Sequence, residues 1–139
     1  MGKSHLAILI PAYCEEKTIG NVVQEASKFG TAVVCDDGST DNTVREATKF
    51  GAMVFSKQKN TGYEQTLTHG FRKCRTKGFK YIITIDADGE HDPSAISKFK
   101  VALLENDFDL VLGKRPQAAR IGESFINALC QRLFRTTDI

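Results

Sequence analysis

The chain has 139 residues, a length that suits one domain with a sizeable buried core. Hydrophobic residues make up 41% and charged residues 26%, which is ordinary for a soluble globular protein and excludes a low-complexity chain. The net charge is only +2 and the basic residues are scattered, so we expect no nucleic-acid-binding surface.

Five short apolar runs, rich in Val and Ile, predict β-strands at 6–10, 32–35, 52–55, 81–85 and 109–113. The runs show little polar alternation, which is typical of strands that are covered on both faces. Apolar residues at helical spacing predict five helices, at 19–29, 44–50, 67–74, 93–103 and 125–134. Alternating strands and helices predict an α/β fold with right-handed crossovers, a mainly parallel sheet and a single domain over residues 1–139.

In a parallel sheet, the binding crevice lies beyond the carboxyl ends of the strands. The residues that follow the five predicted strands are, in order, Pro11, Tyr13 and Glu15; Asp36 and Asp37; Asn60 and Gly62; Asp86, Asp88, Glu90 and Asp92; and Lys114 and Arg115. The sequence therefore predicts one edge of the sheet that carries carboxylates, basic groups and a tyrosine.

The acids after the fourth strand are the most informative group. Like charges held close together repel each other, and their burial is costly unless a partner neutralises them. Helix capping explains Asp92 before Pro93, but Asp86 and Asp88 precede the cap and have no capping role. Carboxylates at alternate positions offer oxygen ligands to Mg²⁺ or Mn²⁺ and leave room for substrate phosphates. We therefore predict a metal-bound diphosphate, with Asp37 and Tyr13 available for a nucleobase.

Five stretches of the sequence, in this order, resemble family 2 glycosyltransferases: LAILIPAYCEEKTIGNVV, VVCDDGSTDNT, KNTGYEQTLTHGF, ITIDADGEHDP and DLVLGKR. The resemblance covers nearly the whole chain and is strongest to the dolichol-phosphate mannosyltransferase-like enzymes. It implies a GT-A type α/β fold, a nucleotide-diphosphate sugar as donor (GDP-mannose or UDP-glucose type), a divalent metal, and inversion at the anomeric carbon. It also implies a polyprenyl or dolichyl phosphate as acceptor.

The resemblance also implies roles for individual residues. Asp86 and Asp88 are the catalytic carboxylates of a D-x-D element around Ala87, and with Glu90 they are the expected metal ligands. The expected donor-binding residues are Pro11, Tyr13 and Glu15 around the nucleoside, the Cys35 backbone and Asp37 at the base, Ala87 beside the diphosphate, and Arg115 at the phosphates. Glu64 and Gln65 depart from the pattern, because the family usually has small residues at these positions.

The family's acceptor-side segment is expected after Ile139, so the chain is expected to hold the donor-binding part and to transfer sugar poorly. Two alternatives stay open: a nucleotide-sugar-binding fragment without turnover, and a transferase that uses a sugar hydroxyl in polysaccharide assembly. A receiver-like signalling domain is disfavoured, because its acid pair follows the first strand rather than the second.

The location is predicted from the cysteines and from the N-terminal sequence. The four cysteines, at 14, 35, 74 and 130, form no C-x-x-C pair, and the apolar run 6–10 is too short for a signal peptide or a membrane span. We therefore expect reduced thiols and a cytoplasmic location, with peripheral contact at the cytoplasmic face of a membrane through the predicted last helix.

Overall fold

A computed structural model of the chain describes residues 5–90, 93–105 and 111. Contacts divide the chain into two compact units, Met1–Ile96 and Ser97–Ile139. The predicted fifth strand, apart from Val111, and the predicted last helix lie outside the described residues. Most of the second unit also lies outside the described residues. The single domain over residues 1–139 therefore stays a prediction.

Four strands and four helices alternate in the described residues. The strands are β1 (Leu6–Ala12), β2 (Thr31–Asp36), β3 (Met53–Ser56) and β4 (Tyr81–Thr84). The helices are α1 (Ile19–Ala26), α2 (Thr43–Lys49), α3 (Tyr63–Thr76) and α4 (Pro93–Glu105). The strands form one sheet in the order β3-β2-β1-β4, and every neighbouring pair is parallel. The predicted α/β class with a parallel sheet is confirmed.

The sheet is covered on both faces, as its unbroken apolar strands predict. On one face, Ala7 and Leu9 form a buried cluster with β2 and with Cys74 of α3. At Gly70, α3 comes so close that a Cβ atom would lie 2.6 Å from Cδ1 of Leu9. Ile8 and Ile10 point to the other face by strand alternation and are also fully buried.

Two strands are longer than predicted. β1 extends to Ala12 and includes Pro11, although a proline lacks the N–H that a central strand uses. Leu9 accepts a hydrogen bond from Ile85 on the β4 side, and Pro11, two residues later, faces the same side. The pairing with β4 ends at Leu9, so the missing N–H breaks no strand contact. β2 likewise extends to Asp36, which therefore lies inside the strand rather than after it.

Candidate functional site

The carboxyl ends of the four described strands meet at one edge of the sheet. Hydrogen bonds between the loops that follow the strands hold this edge together: Asp37 N–H to Ala12 O (2.9 Å), Cys14 N–H to Ser39 Oγ (2.8 Å), Thr61 N–H to Asp37 Oδ1 (2.9 Å) and Tyr63 OH to Asp86 Oδ1 (3.1 Å). The predicted loops after the four described strands are thus brought together, while Asp92, Lys114 and Arg115 lie outside the described residues.

The loop after β1 presents Tyr13 to solvent. The tyrosine is 46% exposed, and the next residue, Cys14, has a positive φ of 55°. A hydrogen bond to α2 holds the loop in place, because the N–H of Glu15 donates to Oγ1 of Thr43 at 2.8 Å. The Glu15 carboxylate in turn accepts the Thr18 hydroxyl at 3.1 Å. Tyr13 therefore offers an exposed aromatic ring, whereas Glu15 is half-buried and hydrogen-bonded within its own loop.

Asp36 and Asp37 have structural roles that the sequence pattern does not reveal. Asp36 is fully buried and accepts the hydroxyl of Ser56 at 2.6 Å, which ties β2 to the end of β3. Asp37, only 3% exposed, forms an ion pair with Lys57 at 2.6 Å. Its carboxylate also accepts the N–H groups of Thr61 and Gly62, both at 2.9 Å. Both oxygens of Asp37 thus bind groups of the loop after β3.

The charge of Asp37 is stabilised by these partners. Burial by itself raises the pKa of the carboxyl, but the hydrogen bonds from Lys57, Thr61, Thr66 and Gly62 outweigh it and lower the pKa to about 2. The carboxylate is therefore ionised at neutral pH. Its partner, Lys57, is also mostly buried.

Lys57 is the site residue that sequence reasoning missed. Its Nζ contacts the Asp37 carboxylate, Oγ1 of Thr61 and, at 2.8 Å, Oγ1 of Thr66. The lysine is the first residue after β3, so the rule that strand ends meet at one edge was a signal that could have found it. Nothing local in the sequence marks Asp37 as its partner.

The acids after β4 lie on a tight turn. Ala87 is 4% exposed and turns inward, whereas Asp86 is half-buried and Asp88 is exposed. The N–H of Glu90 donates to Oδ1 of Asp88 at 2.9 Å, and Gly89 between them has a positive φ of 80°. The turn therefore holds Asp88 at a fixed position on the surface of the site.

The donor chemistry of Asp86 and Asp88 fits a hard divalent cation. In the described parts of the chain, no three His, Cys, Asp or Glu residues are grouped so that they could hold a metal. The structure therefore does not join Glu90 to Asp86 and Asp88 in one ligand set, and its role as a ligand stays a prediction. Mg²⁺ is usually held by one or two carboxylates together with water and substrate phosphates. Asp86 and Asp88 would supply the two carboxylates of such a site.

The remaining predicted residues are placed as follows. Pro11 is buried within β1. Cys35 is buried in β2, and the pKa of its thiol rises to about 11, chiefly because of burial, so the thiol is neutral. Cys14, Cys35 and Cys74, the three cysteines that the structure describes, are free thiols, as predicted. No described helix is long and apolar enough to cross a bilayer.

Comparison with known proteins supports the resemblance found in the sequence. The family model described as Glycosyl transferase family 2 matches residues 7–133. The protein MJ1222 of Methanocaldococcus jannaschii, itself uncharacterized, is 33% identical over an alignment that covers 91% of this chain and 57% of that protein.

Solved structures of glucosyl-3-phosphoglycerate synthase from Mycobacterium tuberculosis share the fold. One, in complex with Mn²⁺, UDP-glucose and phosphoglyceric acid, matches with a TM-score of 0.70 and 26% identity over 95% of this chain and 51% of that one. Another, in complex with UDP, matches with a TM-score of 0.70 and 25% identity over 95% and 50%. The predicted GT-A fold is confirmed. The chain spans about half the length of the relatives that it matches.

Proposed function

The chain belongs to glycosyl transferase family 2, and we propose that it binds a nucleotide-diphosphate sugar with Mg²⁺ or Mn²⁺ and serves sugar transfer to a phosphate-bearing acceptor. One observation carries the proposal: Asp86 and Asp88 follow the carboxyl end of β4, beside the end of β1 and at the same edge of the sheet as the ends of β2 and β3. Two acids at this point of a parallel sheet face the crevice where ligands of open α/β folds bind.

In this proposal, different residues of the edge bind different parts of the donor. Asp86 and Asp88 would hold the cation, and Ala87, which lies between them in sequence, would lie beside the diphosphate. The exposed ring of Tyr13 lines the nucleoside pocket with Pro11 and Glu15, and the Cys35 backbone lies beside the base. Asp37 acts on the base mainly through the loop that it holds, because both its oxygens already accept hydrogen bonds. Arg115 meets the donor phosphates.

The transfer step needs little from the protein besides position and charge. An oxygen of the acceptor attacks the anomeric carbon as the bond from that carbon to the diphosphate oxygen breaks, with inversion, and the electron pair leaves with the nucleoside diphosphate. When bound, the divalent cation supplies stabilisation of the negative charge on this leaving group. An acceptor phosphate is already an anion, so the site needs no strong general base.

The comparisons favour particular substrates. The M. tuberculosis enzyme binds UDP-glucose and phosphoglyceric acid with Mn²⁺, which supports a UDP-sugar donor over GDP-mannose. A small phosphorylated acid and a polyprenyl or dolichyl phosphate both carry a phosphate group, and both are candidate acceptors. Use of the lipid would place the protein in the cytoplasm at the face of a membrane.

A nucleotide-sugar-binding protein without turnover is the second candidate. It would need the donor-binding residues of the edge but none for an acceptor. Transfer to a sugar hydroxyl is the third, and it needs a carboxylate base that the described edge does not assign. All three candidates bind the same donor, and they differ only in whether its sugar is transferred and to which acceptor group.

A transfer assay separates the candidates. The chain is incubated with Mn²⁺ and labelled UDP-glucose or GDP-mannose, together with polyprenyl phosphate, phosphoglyceric acid or an oligosaccharide. Labelled product with a phosphate acceptor supports the main proposal and identifies the acceptor. Product with the oligosaccharide alone favours the hydroxyl-acceptor candidate, and donor binding without any product favours the binding protein. Absence of donor binding across both nucleotides would reject all three.

A further inference from the structure

The side chain of Tyr63 joins the start of α3 to the acids after β4. Its hydroxyl donates to Oδ1 of Asp86 at 3.1 Å, across 23 positions of sequence. Tyr63 is 57% exposed. The contact joins the first residue of α3 to the loop after β4.

The backbone that carries Tyr63 is held in place. Tyr63 is the first residue of α3, and the Asp37 carboxylate accepts the N–H groups of the two residues before it. The hydroxyl of Thr66 donates to the carbonyl of Gly62 at 2.8 Å and fixes the first turn from inside the helix. A hydroxyl on such a fixed backbone has a defined direction of approach to Asp86.

A donor that binds one oxygen of a carboxylate limits rotation of the group. Partners of this kind, which do not touch the metal themselves, orient metal ligands and typically change metal affinity by about 10- to 100-fold. We propose that Tyr63 is a positioning residue that orients the Asp86 carboxylate toward a divalent cation. The inference rests on the proposed function, because it assumes that Asp86 is a metal ligand.

The substitution Tyr63→Phe removes only the hydroxyl and keeps the ring. Mn²⁺ affinity is measured from the electron paramagnetic resonance signal of free Mn²⁺ at saturating UDP. We expect Tyr63→Phe to weaken Mn²⁺ binding about 10- to 100-fold. The matched control is Tyr81→Phe, which removes a hydroxyl at the opposite end of β4 and should leave Mn²⁺ affinity within about twofold.

A second readout separates positioning from general damage. UDP affinity without metal and the melting temperature without ligands should be the same in Tyr63→Phe and in the parent chain. If metal-free UDP binding weakens as much as Mn²⁺ binding does, the tyrosine shapes the fold and the inference is wrong. Equal Mn²⁺ affinity in parent and Tyr63→Phe overturns the inference alone. A parent chain that binds neither Mn²⁺ nor UDP overturns the proposed function as well.

Discussion

At the scale of single residues, Asp37 and Lys57 form a mostly buried ion pair at the edge of the sheet. The two side chains are 5% and 15% exposed, and their charged atoms are 2.6 Å apart. Removing one partner of a buried pair leaves the other charge without compensation, at a cost of about 3 kcal/mol or more. We therefore expect Asp37→Asn to lower the free energy of unfolding by about that amount, measured by urea denaturation at pH 7.

The same carboxylate makes stability depend on acid pH. The pKa of Asp37 is about 2 in the folded chain against an ordinary 3.8, so its stabilisation is fully present above about pH 4. The stabilisation is lost as the pH falls toward 2, and it amounts to roughly 2 kcal/mol. Between pH 5 and pH 2, the parent chain should lose this much more unfolding free energy than Asp37→Asn loses.

The control for this pH dependence is Glu64→Gln, which removes an exposed acid from the first turn of α3. Its unfolding free energy should follow that of the parent as the pH falls. Parallel curves for the parent and Asp37→Asn would contradict the assignment of this acid-sensitive stability to Asp37.

At the scale of the elements, the loop between β3 and α3 depends on one glycine. Gly62 adopts φ 94° and ψ 162°, a region that is essentially restricted to glycine, although an added Cβ would meet nothing within 4 Å. We expect Gly62→Ala to destabilise the chain by about 1–3 kcal/mol through backbone strain alone. The control Gln65→Ala changes an exposed residue of α3, and its free energy of unfolding should stay within about 0.5 kcal/mol of that of the parent. Equal denaturation midpoints for the two variants would contradict this account of the loop.

The elements were also the part most open to prediction from sequence. Unbroken apolar runs predicted β1 to β4 because burial on both faces leaves a local signature in composition. The ends of β1 and β2 differ from the predicted ones, because Pro11 and Asp36 lie inside these strands. Pairing within the sheet, rather than the local sequence, determines where a strand ends. The roles of Asp37, Lys57 and Tyr63 depend on partners about 20 or more positions away in sequence, and no local pattern encodes such a partner.

At the scale of the whole molecule, we propose that the edge at the carboxyl ends of the strands binds a nucleoside diphosphate through a divalent cation held by Asp86 and Asp88. The fold, the family and the two-carboxylate donor set support it. Asp88 is exposed, so Asp88→Asn is expected to remove a proposed metal ligand without opening a cavity.

The most direct test is isothermal titration of the 139-residue chain with UDP, in Mn²⁺ and then in EDTA, for the parent and for Asp88→Asn. We expect the parent to bind UDP at least about tenfold more tightly with Mn²⁺, EDTA to abolish this gain, and Asp88→Asn to lose it while keeping its melting temperature. UDP binding that is equal in Mn²⁺ and EDTA, or equal in Asp88→Asn and the parent, would contradict metal-dependent binding through these aspartates.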